Sequence, residues 1–372
     1  MNTIKRREWL KTIGLSTGFT LLGALDGWSA ETERNFIAST ENPIAKLNSN
    51  ENPYGPSKLV REAVTKAFDK ACRYPSVVFR PLLEKIAEKE GVTTDHIVVT
   101  GGSTEGLKAA GLTFGNGGGE IIAADPTFQA MLRYAEGFGA YVHRVPVDQN
   151  MGHDLEAMAN RINNKTSLVF ICNPNNPTGT LMDKNQLKDF CSTVGKETMV
   201  FSDEAYYDFI MEPDYPSMVE LVKKGMNVIV SKTFSKVYGL AGMRIGYLVA
   251  RPDLASRLRR NIMAMTNVLA IEAAKEALQD EAFYKFSLVK NMEAKKAIYS
   301  CLDDLKLEYV PSHTNFVFFK TGRPISEMII EMKKHNVLIG RPFSPFYEWA
   351  RISTGTLEDM ERFDSALRKV MG

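Results

Sequence analysis

Cysteine is scarce in this chain, and the four present, Cys72, Cys172, Cys191 and Cys301, lie far apart without a CxxC pair. That argues against a disulfide scaffold and against a cysteine-based metal knuckle. The five histidines (His96, His143, His153, His313, His335) share no metal-ligand spacing, so no metal is expected. Charge of one sign is also missing: a net charge of +2 gives no strong field for nucleic acid or a membrane surface. There is no internal repeat, no low-complexity segment, and no apolar run long enough to make a good membrane span. What remains, 44% hydrophobic and 24% charged over 372 residues, is a globular chain with length for two domains.

The N-terminus stands apart. Lys5-Arg6-Arg7-Glu8-Trp9-Leu10-Lys11 precedes a weakly apolar run over residues 12–25. This resembles a twin-arginine export signal, with its paired arginines, aromatic, leucine and lysine. It implies export of the folded protein and a periplasmic address, with no other attachment to a membrane. The alternative is a basic amphipathic helix of a cytoplasmic protein. Gly27 and Ser29 suit cleavage after Ser29, whereas cutting after Ala30 puts Trp28 where a small residue is preferred.

Residues 31–44 are polar with little periodicity and read as an extended arm. The run Asn48-Ser49-Asn50-Glu51-Asn52-Pro53-Tyr54-Gly55-Pro56 is dense in turn formers and reads as a loop. Amphipathic helices are expected over 58–72 and 80–89. Short apolar runs then alternate with polar clusters and helix-like segments, at 96–100, 120–124, 167–172, 199–202, 227–230 and 245–249. Such alternation indicates a mainly parallel sheet covered on both faces. Beyond residue 251 come long helices (252–278 and 281–302), short strands (307–310, 315–319, 337–339) and a final helix (357–370), which read as a smaller α+β domain.

In an open α/β sheet, ligands bind beyond the carboxyl ends of the strands, and the distinctive polar residues of this chain fall there. Residues 231–247 place Lys236 just past a strand, with hydroxyls at Thr233 and Ser235 and a cation at Arg244. A lysine so placed can form a Schiff base with a carbonyl cofactor while the hydroxyls and arginine hold a phosphate, which is the layout for pyridoxal 5'-phosphate. Gly101-Gly102-Ser103-Thr104-Glu105 opens a helix, and Ser103 and Thr104 with the first N–H groups suit a phosphate. Phe128 can stack on a flat ring, or is a core aromatic. Asn176 can donate to a phenolate oxygen, or belongs to an Asn/Pro turn. Asp203 can pair with a protonated pyridine nitrogen, or is a helix cap. Tyr206 can reach the neighbouring ring oxygen. Each structural alternative is ordinary singly, yet together they require successive strand ends to match one cofactor by accident.

These segments, with Arg351-Ile352-Ser353-Thr354-Gly355-Thr356, resemble the fold-type I PLP-dependent aminotransferases of classes I and II, and among them the histidinol-phosphate aminotransferases most. The resemblance covers nearly all of the chain after the signal. It implies that Lys236 anchors the cofactor and shuttles a proton, Asp203 keeps the pyridine nitrogen protonated, and Asn176 and Tyr206 bond the ring oxygen. It further implies that Phe128 stacks on the ring and that Ser103, Thr104, Thr233, Ser235 and Arg244 bind the phosphate. Tyr74 would reach the phosphate of the neighbouring subunit in a homodimer. Arg351 would clamp the substrate carboxylate. Asn52 and Tyr54 would lie on the substrate side. Thr104, Phe128 and Ser76 depart from the Asp, Tyr and acid common in histidinol-phosphate enzymes, and the stretch from Arg341 to Arg351 is shorter. Arg341 reads either as a ligand for a substrate phosphate or side-chain carboxylate, or as a surface cation.

The expected order is an export signal (1–30), an arm (31–56), a large PLP-binding domain (57–265) and a small C-terminal domain (266–372). The expected activity is transfer of an amino group between an amino acid, histidinol phosphate or an aromatic amino acid among them, and a 2-oxo acid. The rival readings are a decarboxylase, lyase or racemase on the same scaffold, and an exported binding protein without catalysis. The second would be colourless and gives Lys236 no role.

Overall fold

A computed structural model describes residues 44–372; the expected export signal and residues 31–43 of the expected arm lie outside the described residues. The chain starts with β1 (Ala45–Lys46), which pairs with a strand near the far end of the sequence, so the arm is stitched to the C-terminal part.

The large sheet is built from β2 (Ile97–Thr100), β3 (Glu120–Asp125), β4 (Tyr141–Pro146), β5 (Thr166–Cys172), β6 (Met199–Asp203), β7 (Val228–Thr233) and β8 (Gly246–Ala250), in the order β2-β8-β7-β6-β5-β3-β4. β8 runs antiparallel to both of its neighbours and the remaining pairs are parallel, so the sheet is mixed in one strand only. The carboxyl ends of β2, β3, β5, β6 and β7 therefore open on one edge. Side chains alternate faces along each strand. Val169 and Ile171 enter one apolar core while Leu168 and Phe170 enter the other. Burial on both faces explains why these strands read as nearly continuous apolar runs.

β4 was not foreseen. It is one of the two outer strands, with Tyr141 and Arg144 exposed, and its polar residues hide the strand pattern. The helix expected over 252–278 is two helices, Pro252–Arg259 and Val268–Ala277. The second packs on the helices Lys58–Ala67 and Ser76–Glu90 and shares the large core, so the expected boundary at residue 265 precedes a helix that belongs with the large layer.

The smaller part is a three-stranded antiparallel sheet of β9 (Tyr309–Val310), β10 (Phe316–Lys320) and β12 (Trp349–Ser353), with β10 in the centre; β11 (Val337–Leu338) is the partner of β1. The helices Glu281–Asp304, Ile325–Lys334 and Leu357–Met371 cover it around a separate core. The last helix begins with a reciprocal capping box, Thr356 with Asp359.

Candidate active site

One cleft of about 370 Å³ lies at the open strand edge, a size suited to a small cofactor or substrate. Ser103, Thr104, Phe128, Asn176, Asp203, Tyr206, Ser235, Lys236, Arg244 and Arg351 all line it. Thr233 is buried just beneath: its hydroxyl accepts from the Ser235 N–H at 3.1 Å and donates to Ser235 Oγ at 2.9 Å.

Local backbone explains one end. The helix Ser103–Gly115 starts after Gly102, whose φ of +83° suits glycine, and no side chain caps that first turn. A Cβ at Gly102 would run into the Arg244 guanidinium, so glycine is what lets the cation close over the helix start. Arg244 itself sits at φ +55°, rare for a residue with a side chain, and its Nη1 donates to the Ala241 carbonyl at 2.8 Å. A positive helix end, two hydroxyls and a guanidinium make an anion cradle.

At the centre, Lys236 Nζ donates to the Asn50 carbonyl at 2.7 Å. Burial and the neighbouring Arg351 charge push its pKa down to about 8, against the opposing pull of Glu51 and Asp203. Asp203 is 2% exposed and its Oδ1 has no hydrogen-bond partner. Burial raises its pKa to about 7, although the Ala205 N–H and the Lys236 charge favour its ionised form. A buried carboxylate oxygen left unpaired is costly, and a ligand N–H is the group it lacks.

Tyr206 is buried, and its hydroxyl accepts from Asn50 Nδ2 at 2.8 Å and from Asn176 Nδ2 at 3.4 Å. Burial pushes its pKa up. Asn176 Oδ1 in turn accepts from Arg351 Nη1 at 2.8 Å, and Arg351 Nη2 donates to the Asn48 carbonyl at 3.3 Å. Arg351 Nε is buried without an acceptor, and burial lowers the group's pKa to about 10. Its guanidinium lies 5.0 Å from the Phe343 ring centre, and the Arg341 guanidinium lies 4.4 Å from the centre of the same ring.

Four expected residues lie elsewhere. Arg341 is exposed beside Phe343 and does not line the cleft. Tyr74 is 91% exposed on the turn before the helix Ser76–Glu90. Asn52 and Tyr54 line a smaller neighbouring cavity, where Asn52 Nδ2 donates to Val237 O and Ser287 Oγ, both at 2.9 Å. Conversely, Asn48, Ser49, Asn50 and Glu51 line the cleft although the sequence points to no role for them. Their segment was legible as a loop; its turn-forming composition carries no period that tells which residues face inward.

An anion cradle lies at one end, a lysine with a depressed pKa at the centre, and an orphaned carboxylate oxygen in the same cleft. The residues fit pyridoxal phosphate.

Comparison with known proteins agrees. The chain matches the aminotransferase class I and II family over residues 42–367. It is 39% identical over 332 residues to the histidinol-phosphate aminotransferase of Moorella thermoacetica, covering 88% of this chain and 86% of that protein. It is 38% identical over 333 residues to histidinol-phosphate aminotransferase 2 of Carboxydothermus hydrogenoformans, covering 88% and 91%. Its structure is similar, with a TM-score of 0.82 at 26% identity, to that of histidinol-phosphate aminotransferase from Sinorhizobium meliloti in complex with pyridoxal-5'-phosphate, covering 94% of this chain and 96% of that one.

Proposed function

The chain belongs to the class I and II aminotransferases, and we propose how its residues share that chemistry and which donor it takes. It is a PLP-dependent aminotransferase. When bound, the cofactor supplies a carbonyl for amines and an electron-withdrawing ring.

Ser103, Thr104, Ser235 and Arg244 would hold its phosphate at the helix start, with Thr233 orienting Ser235. Asp203 would face the pyridine nitrogen, Asn176 and Tyr206 the ring oxygen, and Phe128 one face of the ring. Lys236 is the covalent anchor and the base: a pKa near 8 leaves a useful fraction of neutral amine at neutral pH to take a proton from the donor's α-carbon and return it. Arg351 Nε, lacking an acceptor, would take the anionic end of the substrate. The observation that carries this reading is the orphaned Asp203 Oδ1 in one cleft with Lys236.

Histidinol phosphate is the preferred donor in this proposal, with aromatic amino acids next. The names of the relatives support it. The test is a panel of histidinol phosphate, histidine, phenylalanine and tyrosine with 2-oxoglutarate, following glutamate and carbon dioxide. Glutamate formed in step with donor loss, fastest with histidinol phosphate, is the expected result. Carbon dioxide without glutamate would assign decarboxylation instead, and a colourless protein without turnover would assign a binding protein.

We further propose a homodimer, supported by the exposure of Tyr74, Val77 and Met263 at 91%, 85% and 84%, and export by the twin-arginine route, supported by residues 5–11. Light scattering at a monomer's mass would remove the first; retention of enzyme in the cytoplasm after Arg6→Lys/Arg7→Lys is expected for the second.

A further inference from the structure

Glu51 has no role in the reading above beyond the pull of its charge on Lys236. Its neighbours are tied down. Asn50 bonds Tyr206 through Nδ2, accepts from Ser353 Oγ through Oδ1 at 2.7 Å, and receives Lys236 Nζ on its carbonyl. Asn52 is held by Val237 and Ser287. The backbone of Glu51 is fixed too, its N–H on the Ser49 carbonyl at 2.8 Å and its carbonyl on Asn315 Nδ2 at 3.1 Å. Its side chain is exposed, the residue lines both the cleft and the smaller neighbouring cavity, and its carboxylate has no hydrogen bond or ion pair among the described residues.

The order along this short lining segment matters. Arg351 touches Asn48, Lys236 touches Asn50, and Glu51 follows. Three residues span at most about 10 Å, of the order of an extended amino acid with a ring-bearing side chain. A substrate whose anionic end meets Arg351 and whose reacting carbon meets Lys236 thus has its side chain left for Glu51. The other charged groups lining the cleft are the cations Lys236, Arg244 and Arg351 and the buried Asp203, so Glu51 is the exposed carboxylate of the lining.

We propose that Glu51 is a specificity-determining residue that selects amino donors whose side chains present a cation or a strong hydrogen-bond donor, an imidazolium above all. This rests on the aminotransferase reading for its orientation of the substrate. A carboxylate paired with a charged donor discriminates against an apolar isostere by about tenfold or more.

The experiment measures dissociation constants of the cofactor-loaded protein for imidazolepropionate and phenylpropionate, which keep the carboxylate for Arg351 and carry no amine to react. Wild type should prefer the imidazole ligand. Glu51→Gln should shrink that preference about tenfold, and Glu51→Asp should retain part of it. An unchanged preference in Glu51→Gln overturns the proposal, as does equal weakening of both ligands, which would place Glu51 as a support for Lys236. Because neither ligand reacts, the preference reads Glu51 independently of turnover. Failure of every donor to yield glutamate would instead sink the aminotransferase reading.

Discussion

Two charged clusters lie side by side at the ends of β6 and β7, and they are built to opposite rules. In one, Lys232 Nζ lies 3.2 Å from Glu90 Oε2 and 3.5 Å from Glu204 Oε2. Tyr247 donates to Glu90 Oε1 at 2.6 Å, while Ser217 Oγ and the Met218 N–H donate to the two oxygens of Glu204, both at 2.7 Å. Every carboxylate oxygen there has a partner. Burial works against the Lys232 charge, but Glu204 and Glu90 outweigh it and hold the lysine pKa above its usual value. In the other, Asp203 keeps an oxygen unpaired, Arg351 keeps a nitrogen unpaired, and burial depresses Lys236. Asp203 and Glu204 are consecutive, and successive residues of an extended strand face opposite ways. One residue step thus separates charge that holds the fold from charge held ready for a ligand. Unsatisfied groups lower stability and are kept where function needs them.

The contrast can be broken at several points. The largest effect is expected from Lys236→Ala, which should lower turnover by about 10³-fold or more and remove the lysine-dependent visible absorbance. Retention of both would end the assignment. Next, Lys232→Met strands two buried carboxylates and should cost about 3–5 kcal/mol in denaturant unfolding. A loss below about 1 kcal/mol would show that the paired cluster is not structural.

Asp203→Asn should act with the opposite sign on the cofactor-free protein. Burial raises the Asp203 pKa from 3.8 to about 7, so between those values the native state binds more protons than the unfolded state, and stability falls as pH rises. The variant should lack that fall and be more stable than wild type at pH 8 by about 1–2 kcal/mol, the gap closing below pH 4, while it loses cofactor affinity. Thermal unfolding across pH checks it; a destabilised variant at pH 8 would refute the idea of held strain. Lys236 adds a second window with its own sign. Its pKa falls from 10.5 to about 8, so the native state is short of protons between these values and stability rises with pH there. The smallest effect is expected from Arg80→Ala, which removes an exposed pair with Glu84 and should change stability by no more than about 0.5 kcal/mol.

Much of the scaffold is legible in the sequence. Buried strands betray themselves by β-branched and apolar runs, and the groups after β2, β3, β5, β6 and β7 stood out because polar residues at strand ends break those runs. β4 escaped because an outer strand with an exposed face loses that signal, and β12 because its Trp-Ala-Arg-Ile-Ser mixes an arginine into a fully buried strand. The reversed direction of β8 was invisible, since an apolar strand reads the same either way. Asn50 and Glu51 escape a reading of the sequence because a loop has no periodicity; the importance of Asn50 comes from contacts with Tyr206, Ser353 and Lys236, over 150 residues away, and that of Glu51 from its place in the cleft.

The sequence by itself determined the layered α/β class, the strand ends that carry chemistry, and the lysine, aspartate and arginine that match a phosphate-bearing carbonyl cofactor. These follow from residue type and local order, which the chain states directly. The tertiary structure alone decided which polar atoms were left unpaired, that Lys232 would meet two carboxylates while Lys236 would meet a backbone carbonyl, and that Glu51 would line the cleft. Pairing and burial depend on neighbours that are distant in sequence, so no local pattern records them.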